Sequence, residues 1–147
     1  MAATDEREAR EQIQRTIAIY GQLLDSGRFA EWGELFTEDA TFRVGGDQWS
    51  GRSAIVEGIG GMQPPPSHPV KHVCLVPVID LTGEASALAW TDFTAFGTGE
   101  DGRISIATIG RYYDELRREE ERWRFARRSI VMGGEAVPDD LAPSPAR

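Results

Sequence analysis

The sequence predicts an α+β fold: a cone-shaped barrel in which a strongly curved, mostly antiparallel sheet wraps around an N-terminal helix, with two further short helices. Two observations carry this prediction. Apolar residues near the N-terminus recur at three- and four-residue steps, which is typical of a helix with one buried stripe. Four long strand candidates follow residue 70, and the polar connections between them are short, as antiparallel strands in a meander require.

Each element follows from local signals. The first helix ends at the stop signal Ser26-Gly27. A second helix is predicted over about 28–36, closed by the polar cluster 37–39, and a third over 54–59 with Ser53 as its N-cap. The first helix buries Ala9, Ile13, Ile17, Tyr20 and Leu24. The predicted strands are a short one at 40–44, the start of a return strand at 48–49, and long ones at 70–80, 85–96, 103–116 and 122–132, with a proline-rich loop at 60–69.

The length of 147 residues suits a single domain with a substantial core. We predict one pocket domain over residues 1–136 and a disordered tail over 137–147, because the tail has three prolines and few large apolar groups. The charged N-terminus is unlike a secretory signal, and no apolar run is long enough to span a bilayer. We therefore expect a cytoplasmic protein with no membrane partner.

Composition excludes several classes of function. A net charge of -8 would repel phosphate backbones, so we expect no nucleic-acid partner. The one cysteine, Cys74, cannot form an internal disulfide, and its apolar neighbours favour a small core residue. The sequence has no metal-ligand spacing, no phosphate-binding glycine loop and no nucleophile motif, so we expect neither a metal nor an organic cofactor.

Two strand residues are candidates for acid–base chemistry. Alternation places His72 on one face with Cys74, and we expect that face to point inward; an imidazole can transfer protons near neutral pH. A hydrogen-bonded core histidine is the alternative. Asp92 shares a face with Trp90 on the next long strand. If that face is internal, burial raises the pKa of Asp92 and suits it to proton transfer; if external, Asp92 is a solvated acid.

Two residues of the first helix are further candidates. The hydroxyl of Tyr20 could donate to a developing oxyanion or pair with a backbone carbonyl. Asp25 lies five positions later, about 140° around an ideal helix, so both point inward only if the helix end unwinds. Otherwise Asp25 is a solvent-exposed residue at the helix terminus. Arg127 and Arg128 are interpreted as part of a solvated strand face, although one of these arginines could bind an anionic group.

A family resemblance rests on six short segments. Together they resemble a SnoaL-like domain of the nuclear-transport-factor-two-like superfamily, over about residues 8–133. The segments are Tyr20-xxxx-Asp25-Ser26-Gly27, Leu35-Phe36-Thr37-Glu38-Asp39-Ala40, Gly51-Arg52-Ser53-Ala54-Ile55, Lys71-His72, Gly110-Arg111-Tyr112-Tyr113-Asp114 and Trp123-Arg124-Phe125.

Within the superfamily the chain is most similar to the scytalone dehydratase and bile-acid dehydratase group. The resemblance implies that Asp25 orients His72 as the proton-transferring residue and that Tyr20 is a pocket tyrosine. Asp92 resembles an acid of the polyketide cyclases and epoxide hydrolases, although Trp90 stands where the hydrolases have an arginine. The candidate substrate-binding residues are Trp90, Phe42, Val44, Trp49 and Cys74.

Two hypotheses of function follow. The first is a cofactor-independent acid–base enzyme, a dehydratase, cyclase or isomerase, acting on a small apolar polyketide, steroid or aromatic metabolite in a buried pocket. The second is a non-catalytic binding or assembly module of the same fold. It is motivated by departures from the scytalone dehydratases: their second histidine is missing near residues 104–106, and Val44 replaces their first-strand tyrosine. The superfamily also implies a homodimer formed through the open outer face of the sheet.

Overall fold

The structure, a computed structural model, describes residues 3–146 and the side chains of residues 5–146. Residues 1 and 2 of the predicted domain and residue 147 of the predicted tail lie outside the described residues. Three helices and seven strands follow one another along the chain. They are α1 (Ala3–Asp25), α2 (Phe29–Gly33), β1 (Phe36–Val44), β2 (Asp47–Ser50), α3 (Arg52–Gly61), β3 (Val70–Cys74), β4 (Val78–Leu81), β5 (Ser86–Thr98), β6 (Ile104–Glu119) and β7 (Arg122–Met132).

The predicted α+β class is confirmed. All seven strands form one curved sheet in the order β2-β1-β7-β6-β5-β3, and β4 also pairs with β5. Every pairing is antiparallel except the parallel pairing of β1 with β7. The strands at the ends of this order, β2 and β3, do not pair with each other, so the sheet is an unclosed cone. Helix α1 packs against β3 and β7.

Helix α1 ends as its sequence predicts. Gly27 adopts a positive φ of 68°, and its N–H donates to the carbonyl of Leu24 while the N–H of Arg28 donates to the carbonyl of Leu23. These two hydrogen bonds form the Schellman motif. Glycine is favoured at its positive-φ position because it has no Cβ. The helix therefore continues through Asp25 without unwinding.

Other predicted boundaries were wrong. Helix α2 stops at Gly33, and β1 begins at Phe36, so the polar cluster 37–39 belongs to a strand instead of ending a helix. Tertiary packing decides this, since Phe36 is fully buried in the core. The third helix begins at Arg52, one residue before the predicted cap Ser53. The strand predicted over 70–80 is two strands, because residues 75–77 around Pro77 interrupt it.

The predicted tail contacts the sheet in part. Leu141 is buried in a small cluster with Trp90, Tyr113 and Val131 on the outer face. The indole N–H of Trp90 also donates to the carbonyl of Ala142, at 2.8 Å. The sequence does not reveal these two contacts, because they depend on residues that only the folded sheet brings together.

No helix within residues 3–146 has the length and apolar character needed to cross a membrane.

Candidate active site

The inner face of the sheet is organised in rows of paired residues that run across the strands. The first row is fully buried, whereas each of the other three rows contains half-buried residues, among them His72 and Thr108 in the last row. The cone is therefore closed at the first row and open at the last. From the closed end to the open end the rows are Ala89–Asp114–Arg128–Phe42, Thr91–Tyr112–Ile130–Val44, Cys74–Phe93–Gly110–Met132 and His72–Ala95–Thr108.

At the open end, Asp25 and His72 meet. Asp25 ends α1 and His72 is central in β3, and the two elements lie close because Gly21 has no side chain: a Cβ there would be 3.1 Å from the Cβ of His72. The backbone N–H of His72 donates to Asp25 Oδ2 at 2.8 Å, and the ring Nδ1 lies 2.5 Å from Asp25 Oδ1. Both carboxylate oxygens thus bind one residue.

This geometry assigns a tautomer to His72. A carboxylate can only accept hydrogen bonds, so Nδ1 must carry the proton that it donates to Asp25. In the neutral ring the lone pair is then on Nε2. Side chains of the pair are mostly enclosed, with 16% of His72 and 7% of Asp25 exposed. The arrangement gives an oriented imidazole base whose positive form would face a carboxylate.

Two surface clefts border the pair. A groove of about 490 Å³ between α1 and β3 is lined by His72 and Cys74, with Ile17 and Ser26 on its helix side. A second cleft, of about 400 Å³, lies beneath the proline-rich loop and is lined by Asp25 and Ser26. A small molecule can therefore approach the imidazole and the carboxylate from outside the cone.

The closed end contains a second carboxylate pair, a buried ion pair with an arginine, which the sequence analysis missed. Arg128 and Asp114 are fully buried, and Nε and Nη2 of Arg128 each donate to one oxygen of Asp114 at 2.8 Å. The guanidinium carbon lies 4.1, 3.9 and 4.1 Å from the ring centroids of Tyr20, Tyr112 and Phe125. Burial opposes its charge, but Asp114 more than offsets this and holds the pKa of Arg128 above its usual value.

The burial of Arg128 corrects the prediction of a solvated arginine face, and its neighbour Arg127 is half-buried, with 32% of its side chain exposed. Arg128 also fills part of the space that was predicted to be hollow. Tyr20 packs beside it, against the rings of Trp32 and Phe36. Burial raises the pKa of Tyr20 to about 12, although Arg128 acts in the opposite direction. The phenol is therefore a neutral hydrogen-bond donor at physiological pH, but Tyr20 lines neither cleft.

The remaining predicted site residues divide between the two faces of the sheet. The predicted pocket positions of Asp92 and Trp90 are wrong, because alternation along β5 puts both residues on the outer face. Half of the Asp92 side chain is exposed, and it accepts hydrogen bonds from Arg111 at 2.6 and 3.1 Å, which lower the pKa of Asp92. Trp90 instead contacts the C-terminal segment.

Apart from Trp90, the predicted lining residues are on the inner side of the sheet but at different depths. Phe42 is in the buried first row, and Trp49 packs on it with ring centroids 6.4 Å apart. Val44 and Cys74 are half-buried in the second and third rows, nearer the open end. Burial raises the pKa of the Cys74 thiol, so it remains protonated. Of the predicted set, Cys74 lines the same groove as His72 and is therefore the best placed to contact a ligand beside the imidazole.

Comparison with known proteins identifies the family. The sequence profile of the SnoaL-like domain matches residues 5–129. The chain belongs to the SnoaL-like family. No curated protein is significantly similar to it in sequence. Among solved structures, an NTF2-like protein with a cystatin-like fold from Novosphingobium aromaticivorans has 25% identity and a TM-score of 0.76, with 88% of this chain and 85% of that chain covered.

Two other structures from the same bacterium share the fold of this SnoaL-like protein. One is a provisionally assigned scytalone dehydratase, with 21% identity, a TM-score of 0.78 and 99% of each chain covered. The other is the β subunit of a provisionally assigned aromatic-ring-hydroxylating dioxygenase, with 21% identity, a TM-score of 0.75, and 95% of this chain and 98% of that chain covered. The same fold therefore occurs in proteins with different assigned roles.

Among the described residues, no group of three or more His, Cys, Asp and Glu side chains is placed to hold a metal ion.

Proposed function

We propose that this SnoaL-like protein is a cofactor-independent acid–base enzyme, a dehydratase, cyclase or isomerase that acts on a small, largely apolar polyketide, steroid or aromatic metabolite. The observation that carries the proposal is the pair of His72 and Asp25, with its 2.5 Å contact at Nδ1. A base held by a carboxylate and accessible from a cleft is the minimum that proton transfer needs.

The roles follow from which atoms are free. In a dehydration, Nε2 of His72 would take a proton from the carbon next to a carbonyl. The imidazolium, stabilised by Asp25, would then give that proton to the departing hydroxyl, which leaves as water. A positioned base of this kind contributes roughly 10²–10⁴-fold in rate. The neutral phenol of Tyr20 remains a candidate donor to the carbonyl oxygen, provided that a substrate enters past the half-buried rows.

The test is turnover of a panel of β-hydroxy ketones and aromatic polyketide analogues, followed by the absorbance of the conjugated product. We expect His72→Ala to lose turnover while its urea denaturation midpoint stays near that of the wild type. His68→Ala is the matched control, because His68 lies in the proline-rich loop away from the pair. Full activity in His72→Ala would eliminate the proposal.

A second candidate function, a non-catalytic binding module, is favoured by the side chains that fill the closed end. The fully buried Arg128 and Tyr20 occupy the space where a large substrate would have to enter deeply. This function predicts saturable binding of apolar ketones without turnover. A pH–rate profile with a limb in the histidine range would count against it.

We also propose a homodimer formed through the outer face of the sheet. Ile104, Ile106 and Ile109 of β6 are 71%, 64% and 56% exposed, and the register of β5 and β3 brings Phe96 and Val73 beside them. An apolar patch on one sheet face is a candidate interface. Light scattering at micromolar concentration should give a dimer, and Ile106→Glu should give a monomer. A monomeric wild type would contradict this proposal.

A further inference from the structure

A groove on the other side of α1 has the features of a second binding site. It has a volume of about 460 Å³, within the range of small-molecule sites. We call it the arginine groove, because four arginines line it. It lies between α1, which contributes Arg15 and Ile19, the segment around α2, which contributes Glu34 and Leu35, and the start of β7, which contributes Arg122 and Trp123.

The walls of the arginine groove are tied together by hydrogen bonds. Thr16 Oγ1 donates to the carbonyl of Trp123 at 3.0 Å, which fastens α1 to β7. Arg124 Nε donates to the carbonyl of Glu34 at 3.1 Å, and the N–H of Phe125 donates to the carbonyl of Leu35 at 2.8 Å. These bonds connect all three walls, so the groove exists before a ligand arrives.

The charges of the arginine groove are unevenly paired. Each of its three acids already has an arginine partner: Glu31 pairs with Arg28, Glu34 with Arg52, and Glu121 with Arg118. Of its remaining arginines, Arg124 is buried and lies 3.9 Å from Glu119.

Two arginines of the groove are left uncompensated. Within the described part of the chain, Arg15 and Arg122 have no carboxylate oxygen within 4.0 Å. Both are exposed, and each is the chain neighbour of one end of the bond between Thr16 and Trp123. The arginine groove therefore has two guanidinium groups without a carboxylate partner, in a protein whose net charge is -8.

The floor of the groove is apolar. Trp123 is 3% exposed, and Ile19 and Leu35 are half-buried beside it. Guanidinium groups bind carboxylates and phosphates through paired N–H donors, while an apolar floor favours an alkyl or aryl body. We propose that the arginine groove binds an amphipathic organic anion, a small molecule whose carboxylate or phosphate pairs with Arg15 and Arg122 and whose apolar body packs on Ile19 and Leu35. This inference does not depend on the proposed function.

The test is isothermal titration of the full chain with octyl phosphate, octanoate and octanol at low ionic strength. We expect saturable binding of at least one of the two anions, weaker binding of octanol, and affinity that falls as salt is added. A preference for octyl phosphate or for octanoate identifies the head group. The double variant Arg15→Gln/Arg122→Gln should weaken anion binding at least tenfold and leave octanol binding unchanged.

The matched control is Arg7→Gln/Arg103→Gln, which removes the same charge from exposed positions outside the groove. It should bind the anions as the wild type does. The proposal is overturned if neither anion binds saturably at millimolar concentration, or if the groove variant and the control weaken binding equally. All four substitutions are at exposed arginines, and an unchanged circular dichroism spectrum would exclude misfolding as the cause.

Discussion

The two ends of the cone each hold a carboxylate bound to a nitrogen base, and the two pairs differ in what they leave free. At the open end, Asp25 binds His72, whose side chain is partly exposed. At the closed end, Asp114 binds Arg128, and neither side chain has any exposed area. Three aromatic rings surround the guanidinium, whereas the imidazole borders a groove.

The difference shows why burial alone does not make an active site. A guanidinium has only donors and stays charged, so Arg128 has no lone pair with which to accept a proton. The neutral imidazole of His72 keeps a lone pair on Nε2 when Nδ1 donates to Asp25. The closed pair joins β6 to β7, and of the two pairs the open one is the one that keeps a nitrogen lone pair.

The largest expected effect is at the closed end. Arg128→Met leaves the carboxylate of Asp114 buried without a partner, which should cost about 3–5 kcal/mol in the free energy of unfolding. Urea denaturation measures this, with Arg127→Met on the half-buried side as the control, at about 1 kcal/mol or less. Adding Asp114→Leu to Arg128→Met should recover part of the loss. A cost below 1 kcal/mol for Arg128→Met would contradict the claim that the closed pair differs from the open one by its contribution to stability.

Alkaline pH tests the closed end in a second way. Tyr20 has a folded-state pKa of about 12 and an unfolded one of about 10, so only the unfolded chain ionises between these values. Stability should therefore fall as pH rises from 10 toward 12, by up to roughly 3 kcal/mol from this group. Tyr20→Phe should flatten part of that fall. Identical pH dependence in both proteins would contradict the buried, neutral phenol.

A smaller effect on stability is expected at the open end. Asp25 lies at the C-terminus of α1, where the helix dipole disfavours a negative charge by about 0.3–1 kcal/mol. Asp25→Asn removes that cost and keeps an acceptor for the backbone N–H of His72. We expect the unfolding free energies of the wild type and Asp25→Asn to lie within about 1 kcal/mol of each other, although the variant should lose turnover. A loss above 3 kcal/mol would show that the open pair is chiefly structural.

The smallest effect belongs to the exposed pair on the outer face. The hydrogen bonds from Arg111 lower the pKa of Asp92, so its contribution is present at neutral pH and is lost as pH falls through that lowered value, below about 4. Solvent screens this pair, and Asp92→Asn should cost about 0.5 kcal/mol or less at pH 7. Thermal melts of the wild type and the variant at neutral and acid pH measure this cost and its dependence on pH. A larger loss would show that the pair of Asp92 and Arg111 contributes more than a solvent-screened surface pair.

The sequence predicted the α+β class and the long strands because their signals are local. The strand predicted over 122–132 matches β7 at both ends, since alternating apolar residues and short turns mark it. The break at Pro77 was missed, although a proline within a strand run is itself a signal. The start of β1 could not be read, because Phe36 and Thr37 are buried by packing against other elements.

The closed pair was missed for a reason that is visible in the register. Phe125 pairs with Leu116 and Arg127 with Glu115, so Ala126 is an extra residue and the faces of β7 switch there. Strict alternation from Phe125 would place Arg127 inside instead of Arg128. One signal was available. Asp114 lies two residues from each of the apolar residues Tyr112 and Leu116, so strand alternation puts it on their face, as the same reasoning put Asp92 on the face of Trp90.

The contact between Asp25 and His72 came from family resemblance, because helix geometry alone left Asp25 as a solvent residue. Spacing along one helix cannot show that β3 lies beside its last turn. Nothing in the sequence predicted the arginine groove, since Arg15 and Arg122 are 107 positions apart.

The central claim is that Asp25 holds His72 with its proton on Nδ1 and its lone pair on Nε2. Long-range proton–nitrogen NMR of the ring measures this directly, and His68→Ala leaves His72 as the only histidine in the spectrum. At a pH where the ring is neutral, we expect the Nδ1–H tautomer in the protein with Asp25. Asp25→Asn should shift the proton to Nε2, because the amide donates to Nδ1. A predominant Nε2–H tautomer with Asp25 in place, or no change in the variant, would contradict the claim.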